Sequence, residues 1–114
     1  MKYYTSEPNE DKVYHKAHEI IQSGETNSFY ICNLESVRHR CELWKEMLPL
    51  VELHYAVKTN PEPEIVAELI KLGHRFDCAS SYEIDLVLSL GGSPDNIIFA
   101  NPCKAPSHIL HAKE

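Results

Sequence analysis

Apolar residues fall at Val13, Ala17, Ile20 and Ile21 across residues 11–22, and Gly24 is placed to stop the helix that this spacing predicts. The polar stretch before it, residues 1–9, predicts a flexible tail. Ser28-Phe29-Tyr30-Ile31-Cys32 is a short β-rich run and predicts a strand. Asn33 is placed to cap a second helix with Val37, Cys41, Trp44, Met47 and Leu48 on one face, and Pro49 ends it. A strand is expected over 51–57 and a third helix over 63–72. Pro63 suits the first turn of that helix, Ile65, Val66, Leu69 and Ile70 form its apolar face, and Gly73 follows its end. A second strand covers 75–79. Ser80 to Glu83 open a fourth helix carrying Ile84, Val87, Leu88 and Leu90, which closes at Gly91-Gly92. Residues 96–100 predict another strand, ending at Asn101-Pro102, and Ser107 starts a last helix that is cut off almost at once.

From Val51 onward the order of strand, helix, strand, helix and strand predicts an α/β fold with parallel strands and right-handed crossovers. In such sheets ligands bind beyond the carboxyl ends of the strands. Lys58, Asp77 and Asn101 fall there. Alternation sends Leu53, Tyr55 and Val57 to one face and His54, Ala56 and Lys58 to the other; in the next strand Phe76 and Cys78 oppose Asp77 and Ala79. Each strand thus puts a charged group and a small alanine on a common face, which leaves room for something flat beside Lys58. A lysine delivered by an apolar strand reads as an amine that does chemistry, most simply by forming a Schiff base.

Each of these residues also has a plain structural reading. Lys58 is compatible with a strand-end lysine reaching into solvent, and Asp77 with an ion pair to it. Glu83 lies three residues after Ser80, the spacing of a capping box. His54 fits a packed histidine, and His74 and Arg75 fit solvated residues at a strand start. Cys103 and Lys104 fit loop residues with no role.

The chain has 114 residues, enough for one small domain, and its formal charge of −6 disfavours a nucleic-acid partner. No apolar run approaches the roughly 20 residues that span a bilayer, and the N-terminus has no signal-peptide core. Cys32, Cys41, Cys78 and Cys103 lack paired C-x-x-C spacing and fit reduced thiols in a cytoplasmic protein. His108 and His111 share a possible helix face, but no third ligand stands at a convincing spacing, so no metal site is expected.

Three motifs together resemble a known family. Tyr55-Ala56-Val57-Lys58-x-Asn60, Phe76-Asp77-Cys78-Ala79-Ser80 with Glu83-Ile84, and Ala100-Asn101-Pro102-Cys103-Lys104 are similar to the opening of the eukaryotic ornithine decarboxylases, of the fold-type III pyridoxal-phosphate-dependent amino-acid decarboxylases. The resemblance covers roughly residues 10 to 114. It implies that Lys58 holds pyridoxal 5′-phosphate as a Schiff base, that Ala56 and Asp77 border the cofactor, and that Asp77 and Glu83 are catalytic acids that orient and tune the amine. The implied substrate is ornithine and the product putrescine, in polyamine biosynthesis. The implied partners are a second copy of the chain, in a homodimer, and antizyme.

The implied fold is a (β/α)8 barrel plus a β-sandwich domain. Residues 10–40 would form a helix and strand leading from the sandwich, and 41–114 the first three strands of a truncated, alanine-racemase-like barrel. A full barrel needs about 250 residues. The phosphate loop, the acidic partner of the pyridine nitrogen, the substrate-side carboxylate and the cysteine supplied across the dimer are not among these motifs. The chain is therefore expected to be an N-terminal fragment, inactive alone. A non-catalytic relative similar to an antizyme inhibitor, and an arginine, lysine or diaminopimelate decarboxylase of the same fold, are the alternatives. Thr59 departs from the cysteine that many relatives carry there.

Overall fold

The computed structural model describes residues 10–114. Helix α1 spans Glu10–Gln22 and α2 spans Leu34–Met47. Then come strand β1 (His54–Ala56), a 3-10 turn (Val57–Thr59), helix α3 (Pro63–Lys71), strand β2 (Arg75–Cys78) and helix α4 (Ser81–Ser89). A second 3-10 turn (Pro94–Asn96) leads into strand β3 (Ile97–Phe99), and helix α5 (Pro106–Lys113) follows.

Local chemistry sets most of these limits. The Asn33 side chain accepts from the Glu35 N–H at 3.0 Å and starts α2. The helix stops one residue short of Pro49, because proline disfavours helical backbone in the residue before it. The Trp44 indole N–H then donates to the Val51 carbonyl at 2.9 Å and stitches the end of α2 to the segment entering β1. Pro63 opens α3. Gly73 closes it at φ +75°, a left-handed conformation that turns the chain into β2 without a Cβ penalty.

The strands form one parallel sheet in the order β1-β2-β3. Tyr55 stands abreast of Phe76, and Phe76 of Ile97; Ala56 stands abreast of Asp77, and Asp77 of Ile98. Aligned residues of a parallel sheet share a face. Tyr55, Phe76, Cys78, Ile97 and Phe99 therefore point to the helical side, where they pack with Cys41 of α2, Val66 and Leu69 of α3 and Val87 of α4. Phe76, Val57, Val66, Val87 and Cys78 are fully buried there. Among the described residues the other face has no helical cover, and Ile98 remains 44% exposed on it.

Two charged groups brace α2 on α3. Glu68 is buried, and Arg38 Nε meets its Oε1 at 2.6 Å, with Lys71 Nζ at 3.6 Å from the other oxygen. The hydrogen bond from Arg38 holds the Glu68 carboxyl below the usual carboxylate range.

The structure departs from the sequence reading at four places. Residues 28–32 form no strand. Strand composition favours extended backbone, but a strand needs a hydrogen-bonded neighbour, and Ile31 and Cys32 instead border clefts with Lys16 and Ile20 of α1. The first strand is three residues long rather than seven, and the chain coils into a 3-10 turn at Val57, which is fully buried. Lys58 thus lies in that turn, and its direction does not follow from the pleat. His74 is not solvated: it is 6% exposed, its Nε2 has no partner, and burial lowers its pKa, with the nearby Lys45 charge acting the same way. The last helix runs a full two turns.

Candidate active site

The carboxyl ends of β1, β2 and β3 gather the sequence-predicted residues on one edge. Lys58 sits in the turn directly after β1, with an exposed side chain. Among the described residues its amine has no ion-pair or hydrogen-bond partner, and neither has the Asp77 carboxylate, so the ion pair considered between them is not formed. Ala56 and Asp77 stand abreast on the bare face. Both are half-buried, and the methyl of Ala56 leaves that face low beside the lysine turn.

The next loop is held from two sides. Ala79 donates its N–H to Glu83 Oε2 at 2.8 Å, and its carbonyl accepts from Asn101 Nδ2 at 3.0 Å. Ser80 Oγ accepts from the Glu83 N–H at 3.3 Å and donates to Glu83 Oε1 at 3.2 Å. The Ser80 half is the capping contact expected from the spacing, while the return bond from the Glu83 carboxylate goes to Ala79, one residue before the cap. Glu83 therefore faces the backbone that leaves β2, where it fixes the loop after Asp77. Asn101 ties the ends of β2 and β3 together. Lys104, read as a bystander, donates to the Asn101 carbonyl at 2.6 Å and lies 5.1 Å from the Phe99 ring centroid.

All four cysteines are free, and burial pushes the Cys78 thiol up to about 12, so it stays protonated at neutral pH. His54 shares the face of Ala56, at the far end of β1 from Lys58.

Sequence reasoning missed Tyr55. Its hydroxyl donates to the Asn60 carbonyl at 3.0 Å, across the turn that carries Lys58. The Asn60 side chain in turn accepts from the Glu62 N–H at 3.1 Å. An aromatic residue on the helical face of a strand reads as packing, and the only cue was the neighbouring Asn60, a residue that often organises turns.

Parallel strands β1-β2-β3 joined by helices, with Lys58, Asp77 and Asn101 gathered at their carboxyl edge, are arranged as the opening strands of a β/α barrel. The chain belongs to the pyridoxal-dependent decarboxylases, with residues 34–114 matching the pyridoxal binding domain of that family. Ornithine decarboxylase 2 of Drosophila melanogaster is 45% identical over 114 residues, which are 100% of this chain and 28% of that protein. Ornithine decarboxylase of Saccharomyces cerevisiae is 48% identical over 94 residues, covering 82% of this chain and 20% of its own length. Among solved structures, the Paramecium bursaria Chlorella virus arginine decarboxylase bound to agmatine matches with a TM-score of 0.84 at 33% identity, over 88% of this chain and 27% of that one. The chain thus spans between a fifth and a third of the proteins it matches.

The residues present fit pyridoxal phosphate. The aldehyde requires an accessible amine, and Lys58 is exposed with no partner among the described residues. A flat ring requires a low surface at this edge, and Ala56, the residue before the lysine turn, supplies a small side chain there. Among the described residues no helix is long and apolar enough to cross a membrane.

Proposed function

We propose that the protein carrying this chain decarboxylates L-ornithine to putrescine. The observation that carries the reading is the Lys58 amine, without a partner among the described residues, in the turn at the carboxyl edge of the sheet where Ala56 and Asp77 stand abreast. Ornithine as substrate is supported by relatives named ornithine decarboxylase at 45% and 48% identity.

In this reading Lys58 is the residue whose amine would hold pyridoxal phosphate at the carboxyl edge of the sheet. Bound pyridoxal phosphate supplies an electron sink for the pair left behind when carbon dioxide departs. Asp77 presents a carboxylate on the bare face abreast of Ala56, next to the turn that carries Lys58. Glu83 acts on the site through Ala79, by fixing the loop that follows Asp77. The same reading carries a homodimer and antizyme as partners and a cytoplasmic location, on sequence resemblance and, for the location, on four free thiols. It also holds that residues 10–40 lead in from a sandwich domain.

The test is carbon dioxide release from ornithine, arginine and lysine, each given separately at equal concentration to the protein that carries this chain. Ornithine is expected to be turned over fastest, and Lys58→Ala is expected to cost about a thousandfold or more. Arginine or lysine as the best substrate overturns the assignment of ornithine. Undiminished turnover in Lys58→Ala overturns the role of Lys58.

A further inference from the structure

We propose that Tyr55 is a positioning residue for Lys58: its hydroxyl clamps the Asn60 carbonyl and so fixes the turn from which the amine projects. The inference rests on the reading that Lys58 carries the cofactor.

The Lys58 amine has no partner of its own among the described residues, so what the fold fixes is the backbone from which its side chain starts. That backbone is a single 3-10 turn, Val57–Thr59, whose N-cap residue Ala56 offers no side-chain hydrogen bond. Short 3-10 segments have poor hydrogen-bond geometry and are easily deformed. Fully buried Val57 anchors the near side of the turn in the core. The far side is held at Asn60, whose carbonyl accepts from the Tyr55 hydroxyl at 3.0 Å. Asn60 also caps the segment entering α3 through the Glu62 N–H, so the clamp reaches a rigid element on either hand.

Tyr55 is suited to this work. Its ring packs against the buried cluster on the helical side of the sheet, which fixes where the hydroxyl stands. Burial raises the phenol pKa above its ordinary value, so the hydroxyl remains a donor through the neutral range. The ring approaches the turn from the helical side, opposite the face that bears Ala56 and Asp77. Its effect on the site is therefore transmitted through the backbone, without contact with substrate.

The test uses the protein that carries this chain, with pyridoxal 5′-phosphate as the probe. Borohydride reduction followed by peptide mapping reports where the cofactor attaches. The growth rate of the Schiff-base absorbance, and the pH at which that absorbance changes, report the setting of the amine. Tyr55→Phe keeps the ring and removes the donor. It is expected to label at Lys58 like the wild type, but about fivefold more slowly, the factor that corresponds to a hydrogen bond of about 1 kcal/mol, and with a displaced pH midpoint. Site-specific 3-fluorotyrosine at position 55 keeps the ring and sharpens the donor, and is expected to hold or raise the rate. Val87→Ala, which thins the same core at α4, away from the turn, is expected to lower the melting temperature and leave rate and midpoint alone. Labelling at Lys58 with a Tyr55→Phe rate and midpoint equal to wild type overturns the positioning role and leaves the cofactor reading intact. Wild-type labelling at a residue other than Lys58 overturns the cofactor reading and the positioning role with it.

Discussion

Glu83→Ala removes the carboxylate that accepts the Ala79 N–H at 2.8 Å and leaves that half-buried amide unpaired. A hydrogen bond to a charged acceptor contributes about 2 kcal/mol, so local opening of the loop after β2 should become about thirtyfold more frequent. Ser80→Ala removes the acceptor of the Glu83 N–H at 3.3 Å, an N-cap loss of about 1 kcal/mol. The two side chains also bond to each other at 3.2 Å, so the double variant should fall short of the sum by about 0.5 kcal/mol or more. Hydrogen exchange at the Ala79 amide measures the local effect, and urea midpoints of the four proteins close the cycle. Glu83→Gln keeps an oxygen for the Ala79 N–H and should lose less than half of what Glu83→Ala loses. Unchanged Ala79 protection in Glu83→Ala, or strictly additive losses, would refute the Ser80–Glu83 pair as the device that holds this loop. If Glu83→Gln keeps the loop closed yet abolishes turnover, the carboxylate has a direct catalytic part.

Three further outcomes are expected. His74 has a folded pKa below its ordinary 6.5, so the unfolded chain binds a proton first as the medium is acidified. Stability should therefore be complete above about pH 6.5 and decline below it, and His74→Leu should flatten that decline in urea midpoints taken from pH 7.5 to 5. Glu68 also has a depressed pKa, so its contribution is present above its ordinary 4.5 and is lost as the pH falls through the folded value; Glu68→Gln should remove that acid-side slope. Gly92→Ala places a Cβ 2.5 Å from Val87 Cγ1 and 2.9 Å from the Val87 carbonyl oxygen, and should cost about 1–3 kcal/mol in thermal unfolding, with a loss near zero marking a loop that yields.

The parts of the fold legible in the sequence are those written within one turn of chain. Asn33, Pro63, Gly73 and the Ser80–Glu83 pair each act on backbone a few residues away, so the helix limits and the cap followed from spacing. The alternation of β2 likewise placed Asp77 opposite Phe76, since the strand kept its pleat. Residues 28–32 had the composition of a strand, but pairing depends on a neighbour brought from elsewhere. Val57 shows the same limit inside the site: its complete burial goes with the chain leaving the pleat one residue before Lys58, a tertiary outcome that alternation does not encode. His74 looked like a solvated strand start, and it is buried in a cleft bordered by Trp44, Lys45 and Pro49. The Tyr55 clamp depends on where the Asn60 carbonyl turns, which no pattern of residue types specifies.

Trp44 is the one tryptophan of the chain, and its indole is bonded to the Val51 carbonyl where α2 meets the segment entering β1. The chain therefore carries a built-in optical reporter of a single seam. Its emission follows the release of α2 and is blind to the sheet as such, while far-ultraviolet dichroism follows all the helices. If the two signals move together under denaturant, the lead-in helix and the strands that bear Lys58 and Asp77 melt as one cooperative unit. If the fluorescence moves first, α2 is a latch that opens before the lysine edge is disturbed.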